Sequence, residues 1–209
     1  MLGYACINKE LRENNIFTNR TLRQATLLDK GYDYLSQIII QNLEDFKTIL
    51  EWNEANGFKF FRISSEIFPF FSHPVHGYKL TDLPNAHLIL SMLTDIGNYA
   101  KAHNHRLTTH PGPYNVLASP TPDVVSKAIL DLEVHSTIFD LMGFTPSPYN
   151  KINIHVGGAY GEPVKALARF CSNFNLLSDA CKARLTVEND DRANLYSTQD
   201  LYDHVHKVI

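Results

Sequence analysis

The sequence predicts an α/β chain of the TIM-type (β/α)8 barrel class, laid down as five consecutive βα units. Three observations carry that expectation. Short apolar runs suited to buried strands alternate with stretches of helical periodicity, and repeated βα units imply a parallel sheet. Three of the strands share one plan: Arg106-Leu107-Thr108-Thr109-His110, Lys151-Ile152-Asn153-Ile154-His155 and Arg184-Leu185-Thr186-Val187-Glu188. Each alternates an apolar face with a polar one that ends in a potential metal ligand. A doubly wound open sheet meets helices on both faces, where such polar faces would be costly. In a barrel they line the lumen, and the last residue of each strand sits at the C-terminal mouth, where barrel active sites lie.

The elements follow in order. Leu2 to Asn8 reads as the first strand, with Tyr4, Cys6 and Asn8 on one face. Lys9 to Lys30 reads as a loop on the mouth side, with five basic residues against three acidic ones. Tyr32 to Asn56 places Leu35, Ile39, Leu43, Phe46 and Leu50 at helical spacing, and Gly57 stands at the expected C-cap. Phe58 to Ser65 is the second strand, with Arg62 and Ser64 on one face. His87 to Asn104 is a helix and Arg106 to His110 the third strand. Thr121 to Met142 is a helix opened by Pro122 and closed by Gly143. Lys151 to His155, a helix from Pro163 to Leu177, Arg184 to Glu188 and a helix from Ser197 to Val208 complete the series.

Length and composition bound the rest. The chain has 209 residues, 44% hydrophobic and 20% charged, which suits a globular core rather than disorder. Eight βα units take about 250 residues. Residues 1–209 are therefore expected to form a single, incomplete barrel domain whose C-terminal part is missing, with two open sheet edges. A net charge of −3 excludes a uniformly basic nucleic-acid coat but leaves room for a local DNA site. Three cysteines without a CxxC pair argue against a disulfide framework. No apolar run reaches the roughly 20 residues of a membrane span, and the N-terminus lacks the pattern of a secretory signal. The expectation is an intracellular protein, not secreted and without a membrane or an evident protein partner.

His110, His155 and Glu188 are the candidate metal ligands. Two imidazoles and a carboxylate from equivalent strand ends make a borderline donor set suited to Zn²⁺, Mn²⁺ or Fe²⁺. The bland reading of each is a satisfied polar residue; equivalent placement on three strands is what favours the metal. Pro111-Gly112-Pro113 forms a stiff turn that can hold Tyr114 outward, where an aromatic can stack on a base or wedge a duplex. Gly157-Gly158-Ala159-Tyr160-Gly161 precedes a helix and leaves backbone N–H groups open to a phosphate, although it matches no nucleotide-binding fingerprint. Arg62, Ser64, Tyr4 and Asn8 are candidates for contacts near the mouth.

In this order the motifs Gly3-Tyr4-Ala5-Cys6-Ile7-Asn8, Arg62-Ile63-Ser64-Ser65 with Pro69, Thr109-His110-Pro111-Gly112, His155-Val156-Gly157-Gly158 with Tyr160-Gly161, and Glu188-Asn189-Asp190-Asp191 run through the chain. From residue 2 to 209 the sequence closely resembles the ultraviolet damage endonuclease family, related in fold to endonuclease IV. The resemblance implies a (β/α)8 barrel with up to three divalent metals, Mn²⁺ or Zn²⁺, at its mouth. It implies a DNA-repair enzyme that nicks double-stranded DNA on the 5′ side of ultraviolet photoproducts. On that resemblance His110, His155 and Glu188 match metal ligands, Tyr114 an aromatic that probes the lesion, and Tyr4 and Asn8 positions near the flipped-out nucleotides. Pro113 replaces a family glutamine, which alters lesion probing because proline offers no amide. The family's further ligands (an Asp and a His close together, two more His, a Glu) and a lysine belong to later strands. With three ligands the expectation is weak, single-site metal binding and slowed hydrolysis, so that the chain alone is inactive or nearly so. Two alternatives stand beside it: a vestigial, non-catalytic binder of damaged DNA, and a metal-dependent sugar isomerase or epimerase on the same barrel plan.

Overall fold

The computed structural model describes residues 1–190, 192 and 195–209. The chain divides into two compact units. The first comprises residues 1–109 and 138–145, the second residues 110–137 and 146–209. Asp191, the last residue of the Glu188-Asn189-Asp190-Asp191 motif, lies outside the described residues.

In the first unit, β1 (Gly3–Ala5), β2 (Phe60–Ile63) and β3 (Arg106–Thr109) form parallel neighbours in that order. Tyr4 stands opposite Phe61, Ala5 opposite Arg62, and Arg62 opposite Thr108. Three helices accompany them: α1 (Lys9–Glu13), α2 (Gln24–Ala55) and α3 (Ala86–Ala102). The spacing of Leu35, Ile39, Leu43, Phe46 and Leu50 works as expected, since all five are fully buried. Phe46 meets Phe61 of β2 with ring centroids 5.9 Å apart. Ile89, Leu93, Ile96 and Ala100 form the matching stripe of α3.

The structure corrects the beginning of the chain. β1 ends at Ala5 because Cys6 adopts a left-handed φ of 59°, so Cys6 and Asn8 do not continue the strand face. Asn8 instead caps α1, its Oδ1 accepting from the Leu11 N–H at 3.0 Å. The segment 9–30 is not a loop throughout, since it holds α1 and the opening turns of α2. Gly31, at φ 70° and ψ −172°, breaks α2, and only beyond it does the long apolar stripe begin. Arg20 is committed to structure: its Nη1 pairs with Asp45 Oδ2 at 2.5 Å and its guanidinium lies 3.9 Å from the Phe17 ring centre. The positive charge expected of this segment is diminished accordingly.

The second unit contains most of α4 (Pro122–Leu141), the parallel pair β4 (Ile152–Ile154) and β5 (Leu185–Val187), and α5 (Pro163–Phe174), α6 (Asp179–Arg184) and α7 (Thr198–His204). Pro163 opens α5, and Ala166, Leu167, Phe170 and Phe174 are its buried face. Lys151 precedes β4 rather than belonging to it. A second correction concerns Arg184. It ends α6 instead of starting a strand, is fully buried, and donates from Nη1 to Ser136 Oγ at 2.8 Å. A helix running straight into a strand left no break in the alternating pattern. No helix of the described residues is long and apolar enough to cross a membrane.

Candidate metal centre

His110, His155 and Glu188 occupy one structural position three times, each being the first residue past the end of its strand. One ligand atom from each lies within 4.8 Å of the others. His110 Nε2 is 2.9 Å and His155 Nε2 3.0 Å from the same atom, Glu188 Oε1. The other carboxylate oxygen, Oε2, accepts from Asn153 Nδ2, and Thr186 Oγ1 donates to Asn153 Oδ1 at 2.8 Å. Asn153 and Thr186 are register partners on β4 and β5, so the sheet itself orients the glutamate.

The protons decide what this arrangement accepts. His110 Nδ1 lies 3.0 Å from the Pro111 carbonyl oxygen. A carbonyl only accepts, so Nδ1 keeps its hydrogen towards Pro111, and Nε2 is the nitrogen left to face an ion. His155 turns its Nδ1 towards Asp190 Oδ1 at 3.6 Å and likewise aims Nε2 at Glu188. The Nε2 atoms of both rings and Oε1 of the carboxylate thus converge on one point. Two nitrogens and one oxygen, with His110 oriented by the Pro111 carbonyl and Glu188 by Asn153, fit a divalent cation of the borderline class. Burial pushes the Glu188 carboxyl up, but the hydrogen bonds from His110 and Asn153 and the positive potential of the two histidines outweigh it, holding the group below its ordinary value.

A cleft of about 420 Å³ opens over His110 and His155, bounded by Pro111–Pro113, by Gly157 and Gly158, and by Asp190 and Arg192. Gly157 is required: at φ +97°, an added Cβ would stand 2.0 Å from Val116 Cγ1. Tyr114 is 86% exposed. Its base is fixed by Asn115, whose Nδ2 donates to the Gly112 carbonyl at 3.1 Å and to Asp131 Oδ2 at 2.7 Å. Pro113 lies in the same turn and lines the cleft.

The remaining candidates belong to the first unit. The Tyr4 ring packs edge-on against Phe58 and Phe61. Its hydroxyl donates to Asn53 Oδ1 at 2.6 Å and accepts from Asn8 Nδ2 at 2.8 Å, so Tyr4 and Asn8 are brought together. Burial pushes the Tyr4 phenol up against the opposing effect of those bonds. Both residues line a shallow cleft of about 220 Å³ with Trp52 and Phe58. Arg62 is half-buried, and its Nε has no hydrogen-bond partner among the described residues. Ser64 is buried, its Oγ accepting from the Glu66 N–H at 3.3 Å. Sequence reasoning missed Asn115 and Asn53 as anchors. It placed Asn153 on the polar face of its strand without recognising it as the donor that orients Glu188, although it stands two residues before His155 on that face.

Comparison with known proteins then decides the family. A family model described as UV-endonuclease UvdE matches residues 1–207. The chain belongs to the UvdE family. The UV-damage endonuclease of Schizosaccharomyces pombe is 41% identical over 205 residues, covering 96% of this chain and 33% of that protein. A protein of Acanthamoeba polyphaga mimivirus is 38% identical over 204 residues, 96% of this chain and 59% of its own. Among solved structures, the crystal structure of SacUVDE matches this UvdE chain with a TM-score of 0.86 at 32% identity, over 99% of this chain and 65% of that one. The α/β fold expected from the sequence is thus shared with a solved structure. The chain spans 33% to 59% of the length of the curated relatives first matched.

Proposed function

We propose that this UvdE-family chain acts in the repair of ultraviolet-damaged double-stranded DNA, nicking the strand on the 5′ side of a photoproduct by metal-assisted phosphodiester hydrolysis. The observation that carries the reading is the convergence of His110 Nε2 and His155 Nε2 on Glu188 Oε1, with both histidines lining an open cleft. The names of the relatives support the substrate, since they are called UV-damage endonucleases. They favour an endonuclease over a sugar isomerase or epimerase.

His110, His155 and Glu188 would hold the ion, with Mn²⁺ or Zn²⁺ matching the donor set. A bound ion supplies Lewis acidity towards a phosphoryl oxygen and a more acidic water. The chain's own groups prepare the site. The Pro111 carbonyl fixes the ring orientation of His110, Asp190 stands 3.6 Å from His155 Nδ1, and Asn153 directs Glu188. Tyr114, raised on a turn anchored by Asn115, offers its ring to an unstacked base. Arg62, half-buried with an unpartnered Nε, offers charge to a phosphate. Tyr4, Asn8 and Ser64 are proposed to shape the path of the damaged strand, and Pro113 to narrow the lesion range by stiffening the turn without donating an amide.

Among the described residues this is the single cluster of three or more His, Cys, Asp or Glu side chains that fits a metal. That favours one ion per chain and supports a second reading, a damaged-DNA binder that cuts slowly or not at all. Nicking of irradiated supercoiled plasmid with Mn²⁺, against an unirradiated control, tests both readings. The proposal expects damage-dependent nicking that disappears in Glu188→Gln. Preferential binding to irradiated plasmid without nicking selects the binder, and equal behaviour on both plasmids contradicts both.

A further inference from the structure

Five residues past His155, Tyr160 adopts a left-handed φ of 52°. That region is unfavourable for a bulky side chain and is normally left to glycine or asparagine. Burial gives little in return, because Tyr160 remains 46% exposed. Phe70, the other aromatic residue with a left-handed backbone, packs its ring against His73 and His76 instead. Tyr160 is also held in place. Gly157 at φ +97° and Gly161 at φ +75° turn the backbone on either side of it. Its ring lies over Gly158, 3.3 Å from where a Cβ there would stand, and Gly158 lines the same cleft as His110 and His155. The guanidinium carbon of Arg169 is 5.7 Å from the ring centre, and Arg169 Nε is anchored on the Ala118 carbonyl at 2.9 Å. A strained backbone, an exposed ring and a fixed cation beside it form a rigid aromatic surface next to the Gly158 side of the cleft. An unfavourable backbone under a largely exposed ring points to a role in contacting a ligand.

We propose that Tyr160 is a nucleobase-stacking platform, distinct from Tyr114, which receives a base of the DNA strand lying over Gly157 and Gly158. The proposal rests on the DNA-repair reading of the same cleft. Every base offers a π face, so stacking on a fixed aromatic holds a strand without reading its sequence.

The test uses the full chain, with a duplex carrying a thymine dimer flanked by 2-aminopurine as the probe. Wild type is expected to bind and to quench the 2-aminopurine emission. Tyr160→Phe keeps both properties. Tyr160→Ala loses the quenching and weakens binding about five- to hundredfold. Tyr160→Gly relieves the left-handed strain, so its thermal midpoint stays level or rises while binding falls. The inference is overturned if Tyr160→Ala binds and quenches as wild type does, or if Tyr160→Gly loses stability and binding together, which marks a structural tyrosine. A wild-type chain that binds neither damaged nor undamaged duplex overturns the DNA reading along with it.

Discussion

Glu188 Oε1 faces two imidazole nitrogens, and that one atom organises the candidate site. Its orientation depends on Asn153, which holds the other carboxylate oxygen. Asn153→Ala frees the carboxylate to rotate, and Mn²⁺ affinity measured by calorimetry should fall about 10- to 100-fold with the fold intact. Gly157→Ala places a Cβ 2.0 Å from Val116 Cγ1 on a left-handed backbone. Thermal unfolding should show a loss of about 2 kcal/mol or more, and an unchanged midpoint would show that the loop relaxes freely. The three ligands were legible in the sequence because each ends a strand of the same alternating plan. Their supports were less so. Asn115 finds Asp131 sixteen residues away and His155 faces Asp190 across a loop, and no short-range pattern announces either contact.

Elements announce themselves when periodicity and capping agree, as in the stripe of α2 beyond Gly31 and in α5 behind Pro163. They hide when short or polar. α1 and α6 have five and six residues, too few for a periodic signal, and Arg184 at the end of α6 passes for a strand residue. α7 carries a full capping box, Ser197 Oγ accepting from the Asp200 N–H at 3.2 Å and Asp200 Oδ2 from the Ser197 N–H at 2.8 Å. Ser197→Ala should cost about 1 kcal/mol in thermal unfolding. α3 comes close enough to the Met142 backbone that a Cβ on Gly97 would stand 1.9 Å from its carbonyl oxygen. Gly97→Ala should therefore destabilise by about 2 kcal/mol or more despite the better helix propensity of alanine.

Across the whole chain, the repeating βα plan was legible because strand faces and helix stripes recur, and its fold is shared with a solved relative. What lay outside the sequence pattern was long-range charge pairing. Glu54, in the last turn of α2, receives a hydrogen bond from Lys59 before β2 and lies 2.7 Å from the His105 ring before β3. The bonds to Lys59 and His105 and the charges of Lys59 and His103 outweigh the opposing effect of burial and hold the Glu54 carboxyl at about 2 instead of 4.5. A carboxyl held down in this way stabilises the fold above its ordinary value, and the contribution is lost as pH falls towards about 2. Glu54→Gln should therefore unfold at a lower temperature than wild type at neutral pH, with the gap closing as the pH falls from about 4.5 to about 2. A pH-independent gap would assign the effect to packing.

The central claim is that these βα units place His110, His155 and Glu188 so that one chain binds one divalent cation. Titration of the purified chain with Mn²⁺, followed by electron paramagnetic resonance of the free ion, tests it most directly. The account predicts one bound Mn²⁺ per chain, abolished in His155→Ala while the circular dichroism stays that of wild type. Undiminished binding in that variant, or none in the folded wild type, would contradict it.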